Sequence, residues 1–178
     1  MRPALRVAMP ILLTALFINN HLPVWAADPR ASRLYEDALQ RFEKKDHAGA
    51  IVQLKNALQV DKNLLQVHVL LGKALLAQNQ PIPAEAAFLE ALRLGVSREE
   101  VVVPLARALL DTAKARTVLD DERFAEKELS ASTRFDLLVL KAGAADDVGD
   151  RRLAIHLLEK ARGIDPTSVD TWLAEAKL

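Results

Sequence analysis

The sequence predicts an all-α protein: an α-solenoid of about four helix pairs, the third degenerate, followed by the first helix of a fifth. Three observations carry that expectation. Apolar residues recur at i, i+3, i+4 and i+7 through "RLYEDALQRFEKKD" and "VHVLLGKALLAQNQ", the spacing that gathers them on one face of a helix. Small and large apolar residues also repeat with a period of thirty-four: Ala50 and Ala84, Leu54 and Phe88, Ala57 and Ala91, Leu58 and Leu92. The composition, 51% apolar with 4% aromatic residues and six glycines in 178, suits a helical chain with a core to bury.

The N-terminus is of a different kind. "MRPALR" is basic, "VAMPILLTALFI" is an apolar run of twelve, and "NNHLPVWAAD" turns polar and ends in small residues. Twelve residues are too few for a hydrocarbon core of ~30 Å, which takes about twenty. The order basic, apolar, small predicts a signal peptide over residues 1–26, cut between Ala26 and Ala27. Its removal takes Arg2 and Arg6 from 24 basic residues, leaving 22 against 24 acids, a net charge of −2.

The units follow in order. The first spans Ala31–Leu64 and the second Leu65–Arg98, each two helices of about fourteen residues joined by a turn of two or three. Antiparallel helices approach closely only where one offers a small side chain, so Ala38 and Gly72 on first helices are expected to face Ala50, Ala57, Ala84 and Ala91 on second helices. Leu71, Leu75 and Phe88 are expected to fill the space between units, each worth ~1.5–3 kcal/mol once buried. Lys45 and Ala113 fall where the turn between helices favours glycine. A third unit, 99–132, opens with "VVVPLARALL", where Leu105-Ala106 replays Leu71-Gly72. Its second helix, around "KARTVLDD", is short, Val118 replaces the small residue, and "DERFAEKELSAS" is an irregular connection. The fourth unit, 135–168, resumes at Phe135 with the frame moved by two: Ala142 takes the place of Gly72, and Ala154, Leu158 and Ala161 those of Ala84, Phe88 and Ala91. Pro166 follows the end of its second helix. "VDTWLAEAKL", 169–178, then begins a fifth unit. Trp172, Leu173 and Ala176 on it read as a helix face awaiting a partner, as in a piece of a longer array or an end that another molecule covers.

Several chemistries find no support. There is no cysteine, hence no disulfide, thiolate ligand, cysteine nucleophile or lipid-bearing cysteine. Basic and acidic residues balance at 24 each, so no global field draws nucleic acid. No G-x-S-x-G, S-x-x-K or phosphate-binding glycine loop occurs. His47 and His68 stand at repeat positions where an imidazole is expected to fill space and His156 sits mid-helix, none with the i+4 partner of a helical metal site. Asp146, Asp147 and Asp150, with Asp120 and Asp121, match no calcium loop, and Asp150 reads as an N-cap for a helix beginning at Arg151. No catalytic residue, metal or cofactor is expected.

Leu71-Gly72, Ala84, Phe88 and Ala91, with Ala154, Ala161 and Pro166 in the fourth unit, resemble the key positions of tetratricopeptide repeats (TPR). "YEDALQRFEKKDHAGAIVQLKNALQVDKN" and "LLGKALLAQNQPIPAEAAFLEALRLGVSREEVVVPLARALLD" further resemble, in order, the opening repeats of the TPR proteins of PEP-CTERM/exosortase systems, the PrsT family. The resemblance runs from Ala31 to Leu178. It implies a right-handed superhelix and a periplasmic protein of a Gram-negative envelope, tied to exopolysaccharide production and surface-protein sorting. Its work would be protein binding, with membrane contact only through partners and no small-molecule substrate. Members of that family are much longer, and many carry a lipobox cysteine that "VWAADPR" lacks.

In TPR arrays the first helices line a concave face. Its exposed positions here are expected at Tyr35, Leu39 and Phe42, at Val69, Lys73 and Leu76, and at Val103, Arg107 and Leu110, while Ala106 is expected to pack between helices as Gly72 does. Apolar anchors beside Lys73 and Arg107 suit an extended or helical peptide with an occasional carboxylate. Tyr35 and Leu39 stand where chaperone-binding TPR proteins carry a Lys and an Asn, so chaperone C-termini are not the expected ligands. The alternatives are that these side chains pack under neighbouring units, that the array is a spacer, or that it serves a catalytic region elsewhere.

Overall fold

Several helix starts follow local capping chemistry. The computed structural model describes residues 28–176; the predicted signal peptide and its cut, and residues 177–178, lie outside them. Among the described residues there are nine α-helices and no strand: α1 Pro29–Glu43, α2 His47–Val60, α3 Leu65–Ala77, α4 Pro81–Arg93, α5 Arg98–Leu110, α6 Ala115–Asp120, α7 Ala131–Asp147, α8 Arg151–Ile164 and α9 Val169–Glu175. The Asp28 carboxylate accepts from the Arg30 amide at α1, where Pro29 takes the first position, and Asp46 and Asp150 cap α2 and α8 by accepting from Gly49 and Leu153. The structure thus gives Asp150 the capping role read from its position.

The turns inside the units are one motif used four times. Lys45, Asn79, Ala113 and Gly149 all have positive φ, at 62°, 54°, 57° and 81°. The residue after each donates to a carbonyl five residues back, Asp46 to Arg41, Gln80 to Leu75, Lys114 to Leu109 and Asp150 to Ala145, at 2.8–2.9 Å. This left-handed cap satisfies carbonyls that a helix end leaves open.

Helices pack α1 on α2, α3 on α4 and α7 on α8 as antiparallel pairs, while α5 leans more on α7 than on its short partner α6. Ala38, Ala50, Ala57, Ala84, Ala91, Ala106, Ala154 and Ala161 are fully buried, and Ala142 nearly so. At Gly72 the structure differs in detail from expectation. The side chain nearest to it is Phe88, whose ring lies over Gly72 within the same unit, where the expectation had Phe88 filling the space between units.

The third unit departs furthest from the repeat. With only six residues, α6 supplies Ala115 and Val118 to the core, and the 3₁₀ turn Glu122–Phe124 inserts the fully buried Phe124. The buried apolar side chains fall into two clusters, one running from Ala38 to Leu137 and Ala144, the other within α7 and α8, with Leu119 of α6 against both. Helix α7 begins at Ala131, four residues before Phe135, because the Ser130 hydroxyl accepts from the Thr133 amide and caps it there. Glu99 of α5 in turn accepts from the Ser130 amide and hydroxyl, at 3.1 and 2.6 Å, and from the Thr133 hydroxyl. Arg98 donates to the carbonyls of Glu122 and Lys127. Two adjacent residues of α5 therefore clasp the whole irregular connection.

Candidate functional site

Each first helix touches the first helix of the next unit, in the order α1, α3, α5, α7, α9, whereas the second helices touch first helices and not one another to any comparable extent. Helices that approach one another more closely lie on the inner side of a curved stack, which places the first helices there. Equivalent positions on it recur at spacings of 34, 34, 36 and 34: Tyr35, Val69, Val103, Val139 and Leu173 form one row, and Leu39, Lys73, Arg107 and Gly143 the next. Phe42, Leu76, Leu110 and Asp146 form a third.

The predicted groove residues are not equally available. Lys73 and Arg107 are exposed. Tyr35, Leu39, Phe42, Leu76, Val103 and Leu110 are half-buried and rest against the core, each offering only part of its side chain to the groove. Val69 corrects the expectation: it is 3% exposed and belongs to the core. Helix α3 is flanked by α1 and α5 and backed by α2 and α4, and the short valine does not reach past them.

The row continues into α7 and α9, beyond the residues singled out from the sequence. There it forms the wall of a cleft of about 610 Å³ lined by Val103, Arg107 and Leu110 from α5, Phe135, Asp136, Val139 and Asp146 from α7, and Asp170 and Leu173 from α9. Glu100, Asp136 and Asp170 hold one repeat position on three successive first helices, and Gln66, one unit earlier, donates to Glu100 at 3.4 Å. Burial, and then the charge of Asp170, push the Asp136 carboxyl above its ordinary value, with Arg107 opposing. Burial and then Glu36 and Glu100 likewise raise the Tyr35 phenol. The sequence carries a signal for this acidic end in its spacing, since with the frame moved by two after α6 Asp146 continues the position of Leu110.

The other candidate residues are accounted for by structure. His68 Nε2 lies 2.8 Å from the Lys62 carbonyl, the His47 ring meets Phe42 edge-on with centroids 5.0 Å apart, and His156 is exposed. Asp121 pairs with Arg123 at 2.6 Å. Among the described residues no three His, Cys, Asp or Glu side chains lie close enough to hold a metal ion.

Antiparallel pairs stacked with their first helices in a continuous inner layer define an α-solenoid. The solved structures to which the chain is similar are TPR proteins. YrrB, a TPR protein with an unusual peptide-binding site, aligns with a TM-score of 0.50 and 15% identity over 86% of this chain and 100% of that one. The first TPR of Spaghetti (RPAP3), bound to the HSP90 peptide SRMEEVD, aligns with a TM-score of 0.37 and 11% identity over 83% of this chain and 89% of that one. At these identities the likeness, carried by YrrB, is one of fold. No protein-family model matches the chain, and no curated protein matches it.

Proposed function

We propose that this chain is a non-catalytic scaffold for protein–protein interaction in the bacterial envelope, holding an extended or helical segment of its partner in the concave groove. The observation that carries the reading is the continuous inner layer, which presents partly exposed apolar side chains beside charged ones in register on successive helices. YrrB, of the same fold, carries a peptide-binding site. Export to the periplasm rests on the basic, apolar and small-residue order of the N-terminus. A partner from an export or polysaccharide machinery of the PEP-CTERM type rests on the resemblance of the first two units to PrsT proteins.

The test is affinity capture from envelope extract with the chain and a Leu76→Ala/Leu110→Ala variant, each shown to be folded by its thermal melt. A partner retained by the parent and lost by the folded variant supports the groove. Equal capture by both moves the binding surface elsewhere. The burial of Val69 and the half-burial of its neighbours favour a second reading, a spacer that sets distance and curvature in a longer array; capture of nothing by either protein supports it.

A further inference from the structure

We propose that the end of this groove formed by α5, α7 and α9 takes a cationic amphipathic segment of a partner protein, its lysines or arginines on Asp136 and Asp170 and its apolar side chains between Val103, Val139 and Leu173. The inference rests on the groove reading and adds the sign of the ligand's charge.

The first part of the argument is shape. The cleft of about 610 Å³ has apolar walls, with Val103 and Leu110 on one side and Val139 and Leu173 on the other, so it accepts side chains and not only a point charge. Long basic side chains suit such a wall, because their methylene stems lie along apolar surface while the charged ends reach the acids beyond.

The second part is charge. Asp136, Asp146, Asp147 and Asp170 line the cleft against a single cation, Arg107. None of the four forms an ion pair within 4 Å among the described residues, and neither does Arg107. Carboxylates facing one another across neighbouring helices repel, and a partly enclosed site screens that repulsion less than open surface does. The raised pKa of Asp136, caused by burial and Asp170, reflects the same crowding. An anionic ligand would deepen this repulsion. The cations of the inner rows, Lys73 and Arg107, lie on α3 and α5, and the charged residues that α7 and α9 bring to the cleft are acids. A metal ion does not answer it either, since the acids are spread over two helices without three converging. Cations strung along a polypeptide match that spread.

The experiment is fluorescence anisotropy on the full chain at low salt, using a fluorescein-labelled Leu/Lys amphipathic peptide and its Leu/Glu counterpart of equal length. The Leu/Lys peptide is expected to bind saturably and the Leu/Glu peptide not to bind. Asp136→Asn/Asp170→Asn should weaken binding about tenfold, Arg107→Gln should tighten it, and Glu122→Gln/Glu159→Gln, outside the cleft, should leave it unchanged. Equal weakening by the two acid pairs reduces the effect to general charge attraction and overturns the proposal. So does the absence of binding by either peptide. Binding of the Leu/Glu peptide that is lost in Leu110→Ala/Leu173→Ala overturns the cationic ligand and leaves the groove standing. Binding of either peptide that survives that apolar pair overturns the groove itself.

Discussion

The ring of Phe88 lies across Gly72 so closely that a Cβ at Gly72 would stand 2.5 Å from Phe88 Cε1 and 2.7 Å from Cζ. Phe88 is fully buried, so the ring has nowhere to withdraw. Alanine at position 72 gains about 1 kcal/mol of helix propensity over glycine. Overpacking a closed core costs about 1–3 kcal/mol. With rigid aromatic carbon at both nearest distances the second effect wins, and Gly72→Ala is expected to lower stability by about 1 kcal/mol, a fall in Tm of roughly 2–4 °C. Gly72→Leu should cost more. Urea denaturation of Gly72→Ala, Phe88→Leu and the double variant checks the cause: if the two residues compete for one space, the double variant is more stable than the sum of the single losses implies.

The four turns within units make the second prediction. Lys45 and Ala113 hold left-handed backbone that costs a residue with a Cβ about 1–2 kcal/mol. Glycine relieves that strain but adds freedom to the unfolded chain, a loss of about 0.4–1 kcal/mol. Lys45→Gly and Ala113→Gly should therefore be neutral or stabilising, by up to about 1 kcal/mol, whereas Gly149→Ala at the equivalent turn should destabilise by a similar amount. Thermal melts of the three variants decide it, and a clear drop for Lys45→Gly contradicts the strain argument.

These turns also show what the chain reveals before its structure is known. A residue with no glycine's freedom standing at a glycine position is legible from the period alone, and so is Asp150 as a cap, because both depend on neighbours in sequence. The side-by-side row of Tyr35, Val69 and Val103 was legible as a row. The burial of Val69 was not, because periodicity marks a helix face without saying how deeply that helix lies between its neighbours. Nor was the acidic end of the groove: the two-residue shift of frame places Asp146 at the position of Leu110, but only the packing of α9 beside α7 brings Asp170 to the same cleft as Asp136. The start of α7 was missed for a local reason, a serine cap answered by Thr133 rather than by the glutamate or glutamine of a capping box.

Glu99 makes the fold sensitive to acid. The Ser130 hydroxyl, then the Thr133 hydroxyl and the Ser130 amide hold its carboxyl below the ordinary 4.5. The unfolded chain, lacking these donors, takes up the proton first as pH falls. The stabilisation from Glu99 is thus complete above about pH 4.5 and declines below it, until the folded carboxyl itself is protonated. Glu99→Gln should lower Tm at neutral pH, with a difference from the parent that narrows as pH falls below about 4.5. Thermal melts of both proteins across that range check it; a difference that stays constant assigns the loss to packing rather than to ionisation.

Phe124 does for the third unit what a full second helix does for the others. Its ring is fully buried, yet the chain around it, 120–132, has few backbone hydrogen bonds: the amides of Asp121, Phe124 and Ala125 find carbonyls, and Ser130 finds only the Glu99 side chain. Removing a buried phenylalanine costs about 3–5 kcal/mol where the surroundings cannot collapse. Phe124→Ala should lose that much in urea denaturation, and a loss below about 1 kcal/mol means that Leu119 and Leu129 close the gap. The same segment should exchange its amide hydrogens faster than 67–94, where α3 and α4 supply continuous helical bonds. In Phe124→Ala the exchange in 120–132 should rise further while 67–94 holds. Equal protection of the two segments in the parent contradicts the view that this unit is held together by one ring and two clasping side chains.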